Sequence, residues 1–338
     1  NCSIIFSLKK YIQKLYVFLC ILQVLYSIMF LLYKKYIILN CAFGGRMEKV
    51  VVKANAKINL TLDVIGKRED GYHLLDMVMN SIGIYDEKKK KKNYENNIKV
   101  SCDNNSLEID EMNSAFKAAK LIMEEKEFSG VDIHINKTIP IGAGMAGGSA
   151  DAAAVIVGIN ELFNLNMSLE EMKSIALKIG ADVPFCIEGG CVRATGIGEK
   201  MEKLPIMDLN LLIIKPDESI STAFVYKNLF LSELANRPDN NGFIKAMNYK
   251  NLDEMVKTMG NVLESVTASK VSLINEIKKD MINGKAKISM MTGSGTAVFG
   301  IFESTSELKD CYENLKSKYN EIFVTKTERG GVYIESRD

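Results

Sequence analysis

Tryptophan is absent from the 338-residue chain, and histidine occurs only as His73 and His134. Mechanisms that need several imidazoles are thereby nearly excluded. An excess of either charge is missing too, since 43 basic and 42 acidic residues leave a net +1. Such a balance does not point to nucleic acid or to an acidic surface partner. The only dense basic stretch is the lysine run 88–92, flanked by Asp86, Glu87, Asn93 and Asn96. It reads as a solvated hairpin tip. The seven cysteines are odd in number and form no regular framework. Cys186 and Cys191 lie five apart with no second Cys or His pair, which argues against zinc. A reducing compartment, the cytoplasm, is the simpler expectation.

What is present is ordinary globular material, 47% apolar and 25% charged. The length suffices for two modest domains with a sizeable core. Residues 1–46 are of another kind. The run LYVFLCILQVLYSIMFLL, residues 15–32, has no charge and would be about 27 Å long as a helix. Lysines stand at both ends, so charge gives it no orientation. Gly44, Gly45 and Arg46, just before Met47, can be encoded by a purine-rich ribosome-binding sequence, and the bias upstream is that of AT-rich DNA read in frame. We therefore expect translation to start at Met47. Peptides from upstream of Met47, found by mass spectrometry of the native product, would overturn this and leave a membrane anchor.

From Val50 the chain mixes strand and helix signals without regular βαβ alternation, an α+β pattern. KINLTLDVI alternates, with Ile58, Leu60, Leu62 and Val64 on one face and Lys57, Asn59, Thr61 and Asp63 on the other. GKREDGYH, residues 66–73, is loop punctuation. Helical periodicity returns in residues 112–127, and VDIHINK alternates again. Ser168 with Glu171 forms a capping box that opens a helix ending at Gly180. LNLLIIKP begins a second unit, helical segments run to about Asn283, and ISMMTGSGTAVFGIF reads as strand, glycine turn, strand. The boundary falls near residues 203–210.

Chemistry concentrates in a few places. PIGAGMAGGSADAAA, residues 140–154, crowds glycines ahead of an alanine-rich helix, with Ser149 as its expected N-cap. Free N–H groups and the positive helix end suit an anion, yet the loop has no lysine. By itself it could equally be a tight structural turn. Lys57 and Asn59 share a strand face, and a solvated lysine is the plain alternative there. Asp182, between a helix end and Val183-Pro184, is either a turn or cap residue or a buried carboxylate in need of a cation. Tyr72 and His73, side by side in a loop, suit stacking on a base and hydrogen bonding to it. MTGSGTAVF repeats the Gly-Ser-Gly theme, or makes a tight hairpin.

Four blocks, KANAKINLTLDVIGKREDGYHLLDMVMNSI, PIGAGMAGGSADAAA, GADVPFCIEGG and MTGSGTAVFGIF, follow one another in order. Together they resemble the GHMP small-molecule kinases, from about residue 50 to the C-terminus. The glycine loop is common to that superfamily. The AKINL to GYH block and GADVPF are specific to the branch whose acceptor alcohol carries a cytidine diphosphate.

The resemblance implies a ribosomal protein S5-like N-terminal domain, residues 47–205, and a ferredoxin-like C-terminal domain, residues 206–338, with 1–46 outside the fold. It implies ATP and Mg2+, a small-molecule partner, no nucleic acid, and no membrane unless residues 1–46 are made. Lys57 and Asp182 fall on the catalytic positions. The ATP loop falls on Pro140, Ile141, Gly142, Ala143, Gly144, Met145, Ala146, Gly147, Gly148, Ser149 and Ala150. Tyr72 and His73 fall on the cytidine site, Asn59 near the reacting hydroxyl, and Thr222 and Tyr226 on the segment covering the other face of the cytosine. No Mg2+ ligand is assigned; Ser149 is only a candidate. Met145 replaces a usual leucine, which conserves volume, and Asn55-Ala56 replaces the common Pro-Ala. Two alternatives stay open. Another GHMP enzyme, a homoserine or mevalonate kinase, should lack the GYH and GADVP blocks. A non-catalytic regulator on this fold should have lost Lys57 or Asp182.

Overall fold

The computed structural model describes residue 29 and residues 47–104, 109–234 and 237–338. The apolar run 15–32 lies outside them, Met29 excepted. Among the described residues no helix is long and apolar enough to cross a membrane.

The first half of the chain builds one sheet and the helices that cover it. In chain order these are β1 (Lys49–Lys67), β2 (His73–Lys92), β3 (Ile98–Cys102), α1 (Ser114–Glu125), β4 (Val131–Asn136), α2 (Gly147–Leu162), α3 (Leu169–Ile179), α4 (Val183–Glu188), β5 (Cys191–Gly196) and β6 (Lys200–Leu204). β1 and β2 form a long antiparallel hairpin. β2 is long enough to serve two partners, β5 beside residues 75–80 and β4 beside residues 87–92. α2 lies against β1, β2, α1 and α4. The ladder of β1 on β2 shifts register at Asn55/Ala56 and again at Asn59/Thr61, and such irregularities bend a strand and re-aim its side chains. Lys57 and Asn59 sit between these two shifts. The expected polar set of β1, Lys57, Asn59, Thr61 and Asp63, is buried like its apolar set, so it faces the interior and not water.

The second half is arranged around β7 (Asn210–Lys215), α5 (Thr222–Lys227), α6 (Asn240–Asn248), α7 (Leu252–Thr258), α8 (Glu264–Ala268), α9 (Leu273–Asn283), β8 (Ile288–Met291), β9 (Val298–Phe302), α10 (Thr305–Leu315) and β10 (Glu321–Lys326). Leu211, Leu212, Ile213 and Ile214 are wholly buried, as a continuous apolar run demands of a central strand. The sheet order β10-β7-β9-β8 is antiparallel throughout. Counted along the chain this is 4-1-3-2, the ferredoxin-like arrangement, with α9 and α10 packed on it. One strand leaves that unit. β11 (Val332–Arg337) pairs antiparallel with β1, so the first sheet is closed by the C-terminal end of the chain.

Two local readings are decided. Asp182 takes the cap position of the short helix α4, and Pro184 suits the first turn of a helix, where no N–H is needed. The lysine run 88–92 is no solvated tip. It ends β2, and the strand alternation turns Asp86, Lys88 and Lys90 inward under α2 while Lys89 and Lys91 stay exposed. Lys88 lies 2.7 Å from Asp151 Oδ1, and Lys137 joins Asp151 Oδ2 at 2.9 Å to Asp86. Burial would raise the Asp151 carboxyl, but Lys88 and Lys137 outweigh it and bring it down to about 2. Two carboxylates thus balance two ammonium groups. Lys90 is left over, buried with no hydrogen-bonding partner among the described residues. Its stem fills the space beside Gly158 of α2, where a Cβ would stand 2.5 Å from Lys90 Cδ.

Candidate active site

A cleft of about 710 Å³ brings together most of the residues singled out in the sequence. One wall is the glycine loop. Pro140, Ile141, Gly142, Ala143, Gly144, Met145, Ala146, Gly147 and Gly148 all line it; Ser149 and Ala150 do not. The helix begins at Gly147, and the cap position is Ala146, at φ 59° with no side-chain hydrogen bond. The expectation of Ser149 as N-cap is therefore corrected: it lies inside the first turn, because the left-handed turn at Ala146 starts the helix earlier. The cap gives the first N–H groups of α2 no side-chain acceptor, and Gly147 and Gly148 meet the cleft, the arrangement that suits an anion.

The loop is braced from behind by the second glycine turn, residues 292–296 between β8 and β9. Backbones touch here. A Cβ on Gly144 (φ 72°) would stand 2.3 Å from Thr292 O, and one on Gly293 (φ 57°) 2.6 Å from Gly144 O. Glycine at both positions follows from this approach as much as from the positive φ.

Beside the loop stands the titratable pair. Lys57 Nζ lies 3.6 Å from Asp182 Oδ2, and it donates to Asn59 Oδ1 at 2.7 Å and to Gly144 O at 3.3 Å. The lysine is buried and Asp182 is about one-third exposed, so the carboxylate faces the cleft while its cation stands behind. Strand β1 supplies the lysine and the α3–α4 turn the aspartate, 125 positions on in the sequence. Thr222 and Tyr226 of α5 also line the cleft. Thr222 Oγ1 lies 2.8 Å from Ser294 Oγ of the second glycine turn. The Tyr226 ring sits 5.0 Å from that of His73, at 32°. Burial first, then the Asp182 carboxylate, push the Tyr226 hydroxyl well above its ordinary value, so it stays protonated. Burial and Lys67 lower the His73 imidazole, leaving it neutral at neutral pH. Tyr72 is 61% exposed and is not among the cleft residues.

Matches to known proteins agree with this geometry. The GHMP kinases N terminal domain matches residues 113–190 and the GHMP kinases C terminal domain residues 233–321. A 4-diphosphocytidyl-2-C-methyl-D-erythritol kinase of Acetivibrio thermocellus is 50% identical over 283 residues, 83% of this chain and 100% of the relative. The chain belongs to the 4-diphosphocytidyl-2-C-methyl-D-erythritol kinases, within the GHMP kinases. A relative of the same description from Clostridium perfringens is 46% identical over 82% of this chain and 97% of its own. The crystal structure of a 4-(cytidine 5'-diphospho)-2C-methyl-D-erythritol kinase superposes with a TM-score of 0.69 at 25% identity, covering 84% of this chain and 99% of that one. A homoserine kinase from Cytophaga hutchinsonii gives the same TM-score at 17% identity over 85% and 97%, a likeness of fold alone.

This GHMP kinase is an ATP-dependent small-molecule kinase. The uncapped start of α2 and the glycine backbone fit a triphosphate. For Mg2+ the protein offers few donors. Asp151 reaches the cleft, but Lys88 and Lys137 hold its two oxygens, and Ser149 is not in the lining. Among the described residues no group of three His, Cys, Asp or Glu gathers. Sequence reasoning also passed over Lys137, which lines the cleft three residues before the loop, and Asn113 and Ser114 at the start of α1. Asn113 is a good N-cap residue, and that signal marks a second helix start facing the cleft.

Proposed function

We propose that this protein transfers the γ-phosphoryl group of ATP to the 2-hydroxyl of 4-diphosphocytidyl-2-C-methyl-D-erythritol, in the cytoplasm, as a step of the non-mevalonate route to isoprenoid precursors. The observation that carries it is the Lys57–Asp182 pair, 3.6 Å apart, in one cleft with an uncapped helix start.

Phosphoryl transfer is mostly positioning and charge stabilisation. The N–H groups at the start of α2 hold the triphosphate. Asp182 accepts the proton of the 2-hydroxyl as its oxygen bonds to the γ-phosphorus and the bond from that phosphorus to the ADP oxygen breaks. Lys57 offsets negative charge on the transferring group. Asn59, held by Lys57, stands near the reacting hydroxyl. Bound with the nucleotide, Mg2+ would supply charge neutralisation at the phosphates, and no residue of the described chain is assigned to hold it. Tyr226, against neutral His73, offers a ring face and a donor to the cytosine, with Tyr72 closing from the exposed rim.

An ADP-release assay with three alcohols tests the reading. Turnover of the cytidyl substrate well above that of homoserine and mevalonate is expected. Faster turnover of either of the others would overturn it.

A further inference from the structure

The turn that braces the ATP loop is itself held by residues outside the cleft. Asn261, between α7 and α8, is buried. Its Nδ2 donates to Met291 O and to Gly293 O, both at 2.8 Å, and its Oδ1 accepts from Leu263 N at 3.0 Å. Glu264 Oε2 accepts from Met291 N at 2.8 Å. The same segment is tied to β1: Leu62 N donates to Gly260 O at 2.8 Å, and Val262 N to Leu62 O at 3.0 Å.

The two carbonyls that Asn261 holds flank Thr292. From Thr292 the contacts divide. Its carbonyl oxygen is the atom against which Gly144 packs, and Thr296 N and Ala297 N donate to Gly142 O and Ala143 O at 3.3 and 3.2 Å. Its hydroxyl accepts from Asn59 N at 2.9 Å, and Asn59 Oδ1 accepts from Lys57 Nζ at 2.7 Å. One buried amide therefore fixes the peptide that braces both the phosphate loop and the partner of Lys57, beside the direct bonds of Lys57 N to Met145 O at 3.2 Å and of Lys57 Nζ to Gly144 O at 3.3 Å.

We infer that Asn261 is a positioning residue for phosphoryl transfer: by clamping residues 291–293 it fixes the distance between the ATP loop and Lys57. The inference rests on the kinase reading above. It touches neither substrate nor reacting atom. Its effect comes through placement, where a shift of about 1 Å can cost ~10²-fold in rate.

Asn261→Asp tests it on the full chain. The substitution keeps the size of the side chain and the acceptor for Leu263 N, but turns the donor into an oxygen facing two carbonyls. ADP affinity, measured by calorimetry, does not depend on the acceptor alcohol. It is expected to fall about tenfold, and kcat about 10²-fold, with KM for the cytidyl alcohol within about threefold of wild type. Ile277→Ala, in the buried face of α9, is the control for stability: at an equal fall in melting temperature it should retain ADP affinity and kcat. The inference is overturned if Asn261→Asp keeps both within about twofold, or if Ile277→Ala reproduces its losses. Should Asn261→Asp not fold, Thr292→Val removes only the hydroxyl that accepts from Asn59; an unchanged kcat in that variant overturns the inference equally. Wild-type protein that binds ADP but does not turn over the cytidyl alcohol would sink the substrate reading instead, and the ADP affinities would still decide on Asn261.

Discussion

Asp182 and Lys57 share an ion pair but not an environment. The aspartate is part-exposed at the head of α4, and the lysine is buried behind it. Asp182→Asn should therefore cost little stability, while kcat falls about 10³-fold. Steady-state kinetics beside a thermal melt would check both halves, and a near-normal rate would remove Asp182 as the base. Tyr226 separates differently. Tyr226→Phe keeps the ring against His73 and loses only the hydroxyl. Tyr226→Ala loses the ring as well, and KM for the cytidyl alcohol should rise by about tenfold or more, since base stacking on an aromatic contributes ~1–3 kcal/mol. Equal KM values for the two variants would show that the ring face does not carry the cytosine.

At the scale of elements, the β2–α2 contact holds five titratable groups in one buried layer, and Lys90 is the odd one. Burial, followed by the Lys88 charge, lowers its ammonium well below the ordinary lysine value of 10.5. The unfolded chain then binds a proton that the folded one does not, so this group's penalty shrinks as pH rises toward 10.5. Lys90→Met should raise stability by ~1–3 kcal/mol at neutral pH, and the gain should narrow in melts taken at increasing pH. A gain that widened with pH would contradict the sign. Gly158→Ala should destabilise, because the new methyl meets the Lys90 stem, and the double change with Lys90→Ala should recover part of the loss; additive effects would show no contact.

This layer also shows where the sequence stopped being legible. The lysine run was misread as solvated because what buries it lies far away in the chain, at Asp151, Lys137 and Gly158. The glycine loop and the capping box at Ser168 were legible because backbone geometry ties them to near neighbours. Lys57 and Asp182 were singled out only by their motifs, since neither residue locally signals that the other stands opposite. Ser149 failed as a cap for a smaller reason, a positive φ at an alanine, which composition does not announce.

At the scale of the whole molecule, the sheet that carries Lys57 depends on residues near the C-terminus. Removing residues 332–338 should uncover the edge of β1 at Val50, Val52 and Ala54, lower the melting temperature, and promote association visible by size-exclusion chromatography. A truncated protein that stays monomeric with an unchanged melt would show that β1 does not need this strand. No sequence signal pointed to this pairing: VYIESR is short, half-polar, and separated from its partner by nearly the whole fold.

That pairing also sets an order in time. Val50 faces Arg337, so a ribosome delivers the second edge of the ladder well over two hundred residues after the first. Throughout that interval a bare strand edge is open to any other chain that comes near, and closing it spans a loop of well over two hundred residues. The nascent protein is thus prone to pair with its neighbours until residues 332–337 emerge, and its refolding should slow and lose yield as concentration rises.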